Sequence, residues 1–418
     1  MSSSCYRMAV FVDNLSGGVG RVAGEFVAGL NRRGDHVDVF TFSDQIDGFP
    51  LLGVDSGIYV RPLRELRRFP SPFGRLNNLL RLVDLYRMGK ASAKVGSGLN
   101  EGRYDVALVH LCRYNMAPMV LKYLSVPTVY YAHDVLGIDR SPAIKRPYVD
   151  RMSLLRKKGR LLDKLDPVKS ICDRVFMRAD RRNISKADLV LTNSSYLSEV
   201  IHRRYGIEAK VSYPGVDPDA FRPMDEPKRN MVLSVGHVLA HKGHDFVIKT
   251  LGAISKSVRP SLTVAGSVQS VNERRYLEEL AGEEEVDVRF VSTTDNRELA
   301  SLYSAAKVTA LASVKESFGL AALESMACGT PVVAVKEGGF LETISDGETG
   351  FLVERDVRSF SESILLLMED AHMHDSMAHR GREHVLESWT WDHAVEKLEA
   401  HFAEAMDGRS RKVEAHRP

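Results

Sequence analysis

Two glutamates eight positions apart, Glu316 and Glu324, bracket the point where a strand-like run gives way to a helix. The stretch 316–335 reads ESFGLAALESMACGTPVVAV. Ser317, Phe318 and Gly319 open the helix LAALESMACG, and Gly329 and Pro331 end it. A glycine at a helix start lets backbone N–H groups come close to an anion, and the helix dipole favours negative charge there. Two carboxylates cannot both touch that anion, because like charges repel. They suit neutral, hydroxyl-rich groups on either side of it, a sugar at one end and a ribose at the other. Taken alone, Glu324 would be an ordinary acid on a helix surface.

Strands that end together must carry such a site. In the second half, MVLSVG (231–236), SLTVAG (261–266), VDVRFV (286–291), VTALA (308–312) and PVVAV (331–335) read as buried strands separated by helical segments. In the first half the same alternation runs through RMAVFVD (7–13), HVDVFTF (36–42), VALVHLC (106–112), TVYYAH (128–133) and LVLTNS (189–194). A helix with Val22, Phe26, Val27 and Leu30 on one face follows the first strand and stops at Gly34. Alternating strands and helices mark parallel β-α-β units. The stretches 43–105 and 134–186 read as helix-prone insertions.

YPGVDPDAFRPMDEPKRN (213–230) holds four prolines and breaks both patterns, which places a junction there. The expected organisation is a first domain over 1–213, a linker over 214–230 and a second domain over 231–388. An amphipathic helix over 389–406 and a mobile tail over 407–418 complete it. In doubly wound sheets ligands bind at the carboxyl ends of the strands.

Composition limits the alternatives. The chain has 418 residues, 44% hydrophobic and 27% charged, an ordinary balance for a water-exposed globular protein. No apolar run reaches the roughly 18 residues of a membrane span. The opening MSSSCYRMAVFVD runs straight into Asp13 and reads as a buried strand, not a secretory signal. Cys5, Cys112, Cys172 and Cys328 are far apart, which fits a reducing cytoplasm and argues against a disulfide framework or a structural zinc site. Residues 1–213 carry 34 Lys+Arg against 21 Asp+Glu, and residues 214–418 carry 23 against 34. The basic excess gathers in 61–90 and 140–169. A solvated surface explains it simply; a surface that meets anionic lipid or a phosphorylated acceptor is the functional reading. Nucleic-acid binding is not expected, since the basic runs lack interleaved aromatics and any recognisable motif.

The Glu316–Glu324 spacing resembles the E-x7-E motif of retaining glycosyltransferases of family four (glycosyl transferases group 1), which have the GT-B fold. GGFLETISDGETGFLV (338–353) resembles the Gly-Gly loop that follows that motif, and GHVLAHKGHDFVI (236–248) the phosphate-binding strand-loop. LSGGVGRVAGEFVAGLNRRGDHVDVFT (15–41) resembles the amino-terminal glycine loop and YYAHD (130–134) the segment of the active-site histidine. YPGVDPDAF (213–221) resembles the interdomain linker, so the likeness spans nearly the whole chain in order.

The resemblance implies two Rossmann-like doubly wound α/β domains facing across a cleft, with the C-terminal helix crossing back to the first. It assigns catalytic roles to Glu316, His133 and Lys242, with Glu316 on hydroxyls of the donor sugar and Lys242 on the diphosphate. Donor contacts fall to Gly18, His237, Lys242 and Glu324, and to the backbone of Phe318, Gly319 and Leu320, with Glu324 on the ribose. The implied reaction is metal-independent, retaining transfer of a sugar, a hexose by default, from a UDP- or GDP-linked donor, with no cofactor. The acceptor would be a saccharide or glycolipid: a cell-surface glycan, lipid-linked saccharide or other glycoconjugate. The location would be cytoplasmic, with peripheral membrane contact through the basic first domain.

One residue departs from the pattern. The family usually has arginine where this chain has His237, which lacks both the fixed charge and the fork of a guanidinium. That keeps a weakened sugar-nucleotide-binding protein as the rival from another class, beside a phosphorylase or epimerase of the same fold. His237, His241 and His244 span a strand end, a loop and a helix start with no acid among them, so a metal site is not expected. Asp217-Pro-Asp219 lies in the linker and is not expected to bind metal either.

Overall fold

The computed structural model describes residues 5–13, 17–43, 57–64, 66–67, 69, 76–112, 115–135, 146, 167–292 and 295–415. The chain forms two compact units. One comprises Met1–Ile138, Met152–Tyr213 and Ala394–Pro418; the other comprises Asp139–Arg151 and Pro214–His393.

The first unit is built in the order β1 (Arg7–Phe11), α1 (Gly17–Arg32), β2 (His36–Thr41), β3 (Ile58–Val60), α2 (Leu76–Glu101), β4 (Val106–His110) and β5 (Thr128–Ala132). It continues with α3 (Pro167–Ile184), β6 (Leu189–Thr192), α4 (Ser195–Tyr205) and β7 (Lys210–Val211). Its strands form one parallel sheet in the order β3-β2-β1-β4-β5-β6-β7. A parallel sheet covered on both faces needs continuous apolar strands. Met8 to Phe11 and Val106 to Val109 meet that demand and are fully buried.

The second unit runs β8 (Arg229–Val235), α5 (His244–Gly252), β9 (Ser261–Ala265), α6 (Val271–Glu283), β10 (Val288–Val291), α7 (Asn296–Ala305) and β11 (Ala306–Leu311). Then come α8 (Leu320–Ala327), β12 (Val332–Val335), α9 (Phe340–Thr343), β13 (Gly350–Val353), α10 (Val357–Glu369) and α11 (Ala371–Ser388). Its parallel sheet has the order β10-β9-β8-β11-β12-β13. In each sheet the winding reverses once, between β1 and β4 and between β8 and β11. Loops leaving those neighbouring strands diverge, which opens a crevice at the carboxyl edge.

A last helix, α12 (Trp391–Ala415), begins in the second unit, and from Ala394 onward it belongs to the first. Its buried stripe of Val395, Leu398, Phe402 and Ala405 explains the docking. A Cβ on Gly29 of α1 would lie 2.5 Å from Val395 Cγ2, so the two helices meet at a residue without a side chain. Lys210–Glu404 at 2.7 Å and Arg409–Asp188 at 2.7 Å pin the helix along its length.

The structure departs from the sequence reading in four places. The 43–105 stretch holds strand β3 as well as a helix; β3 is an exposed edge of three residues, too short to show an alternation. Strands β7 and β13 went unread for similar reasons, two and four residues with mixed burial. Residues 214–230 are part of the second unit: Val216 bridges to Thr390, and Phe221 is buried against Tyr303. The helix expected to end at Met406 continues to Ala415, because Arg409 reaches both Asp188 and the Val126 carbonyl. Most of the 134–186 insertion and of the basic 140–169 segment lies outside the described residues. No helix among the described residues is long and apolar enough to cross a membrane.

Candidate active site

The strongest cluster sits where β8 and β11 end. Beyond β8, Gly236 has φ +148°, and beyond β9, Gly266 has φ +154°. A Cβ on Gly266 would collide with the Gly236 carbonyl, so the two strand ends touch backbone to backbone. The chain then passes His237 and turns through a short 3-10 segment, Ala240–Lys242. Gly243 closes that turn at φ +72°, packed against the Ala312 carbonyl just past β11. The Val314 N–H donates to the His241 carbonyl at 2.8 Å and ties the two loops together. Lys242 is thereby carried toward the segment after β11, and its Nζ lies 2.8 Å from Glu316 Oε2. Both side chains keep roughly a fifth of their surface open, at 22% and 18%.

The Glu316 backbone is held as firmly. Its carbonyl accepts from the Gly339 N–H at 2.9 Å. Cβ atoms on Gly338 and Gly339 would strike the backbone of Glu316 and Phe318 respectively, so the Gly-Gly loop packs edge to edge on this segment. Phe318 is buried against Trp389, with ring centroids 5.8 Å apart. Gly319, at φ +102°, begins α8, and a Cβ there would lie 2.8 Å from Phe340 Cδ1. Leu320 is the first helical residue. Glu324, one face further along α8, is 3% exposed and accepts from the Tyr303 hydroxyl at 3.0 Å. Its burial removes the reading of a solvated helix acid.

His237 is half-buried, with Nδ1 2.7 Å from Ser267 Oγ. Burial, and then the charge of Lys242, lower its pKa, so it stands as a neutral imidazole at the position where the resembled family usually has arginine. His244 is wholly buried between Ser234 Oγ at 2.9 Å and the His237 carbonyl at 3.3 Å. Burial pulls its pKa down to about 4. These partners engage both ring nitrogens of His244 but only Nδ1 of His237. Among the described residues no group of three or more His, Cys, Asp or Glu is placed to hold a metal ion.

Sequence reading missed Arg146 altogether. It stands in a basic run with nothing to distinguish it, yet it belongs to the second unit and is almost fully buried there. Its Nε lies 3.0 Å from both Glu273 carboxylate oxygens, and its terminal nitrogens reach Asp245 at 2.9 and 3.0 Å. A further bond runs to the Ala240 carbonyl at 2.9 Å.

In the first unit the expected residues also lie at strand and helix ends. Gly18 is the second residue of α1; it is exposed, and a Cβ built on it meets nothing within 4 Å. His133 follows β5 and is buried, its Nε2 2.8 Å from His110 Nδ1. Burial lowers the pKa of His133 to about 3, and burial with its neighbour holds His110 well below the usual range, so both are neutral. Tyr131 completes the ring cluster, 4.9 Å from His133 and 5.6 Å from His110. Asp13, past β1, is buried and accepts from the Cys112 thiol at 3.1 Å. His110 and Asp13 had one signal in the sequence, a polar residue ending an apolar parallel strand.

Residues 218–384 match the family model described as glycosyl transferases group 1, and residues 16–220 match glycosyltransferase family 4. A D-inositol 3-phosphate glycosyltransferase of Mycobacterium marinum is 25% identical over 408 residues, 92% of this chain and 81% of that protein. One from Stackebrandtia nassauensis is 30% identical over 250 residues, 54% of this chain and 56% of that protein. Among solved structures, sucrose-phosphate synthase from Thermosynechococcus elongatus aligns with a TM-score of 0.68 at 20% identity, covering 96% of this chain and 98% of that one. Anabaena HepE in complex with UDP and glucose aligns with a TM-score of 0.66 at 19% identity, covering 95% and 99%. The fold is therefore GT-B, two Rossmann-like α/β units. With consecutive family models running from residue 16 to residue 384, the chain belongs to the family four, group 1 glycosyltransferases.

Proposed function

We propose that this glycosyltransferase moves a sugar from a nucleoside diphosphate donor to its acceptor with retention of anomeric configuration and without a metal. The observation that carries the reading is the Lys242–Glu316 pair beside the Gly319 turn. Breaking the anomeric bond leaves positive charge on the sugar and negative charge on the departing diphosphate. A fixed ammonium answers the second, and preorganised charges of this kind lower such barriers. Glu316 would hold donor hydroxyls near the reacting carbon, and the backbone of Phe318, Gly319 and Leu320 would line sugar and diphosphate. Glu324, already bonded to Tyr303, would accept from the ribose. The departing phosphate would take the acceptor's proton on the face it leaves, so no separate base is required. His237 and Gly18 are assigned to the donor phosphates and His133 to the donor sugar. The room beside Gly18 supports its part, since none of the described residues lies within 4 Å of a Cβ there.

The donor is expected to carry UDP or GDP. HepE, solved with UDP and glucose, supports UDP as the first test. Relatives named D-inositol 3-phosphate glycosyltransferase make a phosphorylated polyol an acceptor to include beside glycans and lipid-linked saccharides. Peripheral contact with an anionic membrane is assigned to the first unit. Leu76, Leu79, Val83 and Tyr86 form an exposed stripe at helical spacing on α2, with Lys90 over the Tyr86 ring and Ile171 exposed on α3. Flotation with phosphatidylglycerol and phosphatidylcholine liposomes tests this; equal recovery with both would remove the membrane from the proposal.

A panel of UDP- and GDP-sugars, scored by release of nucleoside diphosphate with and without acceptor, identifies the donor. Glu316→Ala should abolish release. A chain that binds donors but turns none over would instead be the weakened binding protein, and an inverted product anomer would end the retaining assignment.

A further inference from the structure

We infer that Arg146 is a positioning residue for Lys242, holding the turn that presents its ammonium to the donor diphosphate; this rests on the assignment of Lys242 to that diphosphate. The bonds of Arg146 fall on both sides of the turn. Toward the chain before Lys242 it donates to the Ala240 carbonyl, the first residue of the 3-10 segment. Toward the chain after Lys242 it holds Asp245, in the first turn of α5. Lys242 therefore lies inside a six-residue span, Ala240 to Asp245, gripped at two points by one guanidinium.

That guanidinium is itself fixed. Glu273 on α6 is buried and takes it in a fork, and the Tyr276 ring lies 5.1 Å from its central carbon. Gly243 against Ala312 and His241 to Val314 restrain the turn from the β11 side, and His244 on Ser234 restrains it from β8. Arg146 adds the tie to α6. Without it the turn loses the bonds that join Ala240 to Asp245 across Lys242, and Asp245 and Glu273 lose the cation between them. A lysine at position 146 retains the charge but cannot serve Glu273, Asp245 and the Ala240 carbonyl at once.

The experiment is a double-mutant cycle read by calorimetric titration with UDP and with GDP, on the full chain. Variants are Arg146→Lys, Lys242→Ala and the pair together. Arg146→Lys should weaken the preferred nucleotide about tenfold and lower kcat/KM more than that, because misplacement of a reacting-site group costs up to about 100-fold. Once Lys242 is alanine, the second substitution should change affinity no further. Equal losses in both backgrounds would mean that Arg146 only stabilises the unit, and would overturn the inference. So would an Arg146→Lys protein that binds nucleotide normally. If Lys242→Ala alone leaves affinity unchanged, the assignment of Lys242 to the diphosphate fails first, and that result is distinct from the other two. Thermal unfolding of each variant confirms that the protein titrated is folded.

Discussion

Lys242 Nζ and Glu316 Oε2 lie 2.8 Å apart, so the ammonium proposed for the diphosphate has an internal partner before any donor arrives. A donor must exchange that bond for one to phosphate, and Glu316 must turn to hydroxyls. Removing each partner should therefore have opposite effects on nucleotide affinity. Lys242→Ala loses a charge-assisted bond and should weaken UDP or GDP by about tenfold to 100-fold. Glu316→Gln should bind nucleotide as tightly or more tightly, while turnover drops by about 100-fold or more. Titration and donor release, measured on the same preparations, check both. Parallel losses of affinity in the two variants would mean that no exchange occurs.

The His110–His133 pair leads to a statement about pH. Their shared bond, at 2.8 Å, joins two rings held neutral by burial, with His133 near 3. Neither titrates between pH 5 and 8, so His133 should contribute no acidic limb to kcat/KM in that range. An acidic limb near pH 6 that vanishes in His133→Gln would refute this. Replacing His110 by Phe strands His133 Nε2 in an apolar cluster and should cost about 1–3 kcal/mol of stability, measured by denaturant unfolding.

Stability should fall on the acid side for the same physical reason. His133 and His244 have folded-state values near 3 and 4, below the roughly 6.5 of an unfolded histidine. Between those values the unfolded chain binds more protons, so stability rises with pH and is lost as pH falls from about 6.5. By pH 5 each ring should cost its unit about 2 kcal/mol. Denaturant unfolding at pH 7 and pH 5 measures the slope, and His244→Gln should remove about one proton's share of it. A stability unchanged by acid would contradict the burial of these rings.

Legibility followed the physics of each segment. Buried parallel strands were readable because they must be apolar on both faces, and β1, β4, β5, β9 and β12 appear within a residue or two of their sequence limits. The Glu316–Glu324 segment was readable because glycine positions and acid spacing constrain it locally. Edge strands β3 and β7 were not, since two or three half-exposed residues carry no periodicity. Arg146 could not be found by any local rule. Its partners are 94 to 127 positions away, and one arginine in a basic run looks like its neighbours. Tyr303 was hidden likewise, an apolar-face residue of α7 until its hydroxyl meets Glu324.

Two glycines, Gly338 beside Glu316 and Gly18 in α1, separate packing from binding. Gly338 has φ +61°, and a Cβ there would collide with the Glu316 backbone. Gly338→Ala should therefore cost about 2–4 kcal/mol and displace Glu316 whether or not a donor is present. Gly18 is a helical residue with open space where its side chain would be. Gly18→Ala should leave stability within about 0.5 kcal/mol, since alanine is tolerated in a helix and nothing is struck. If a donor phosphate occupies that space, the same methyl group should weaken UDP or GDP by about tenfold. Thermal unfolding and titration on the two variants decide the matter. A Gly18→Ala protein with unchanged stability and unchanged affinity would remove the amino-terminal turn from the donor site, while leaving the Lys242–Glu316 half of it intact.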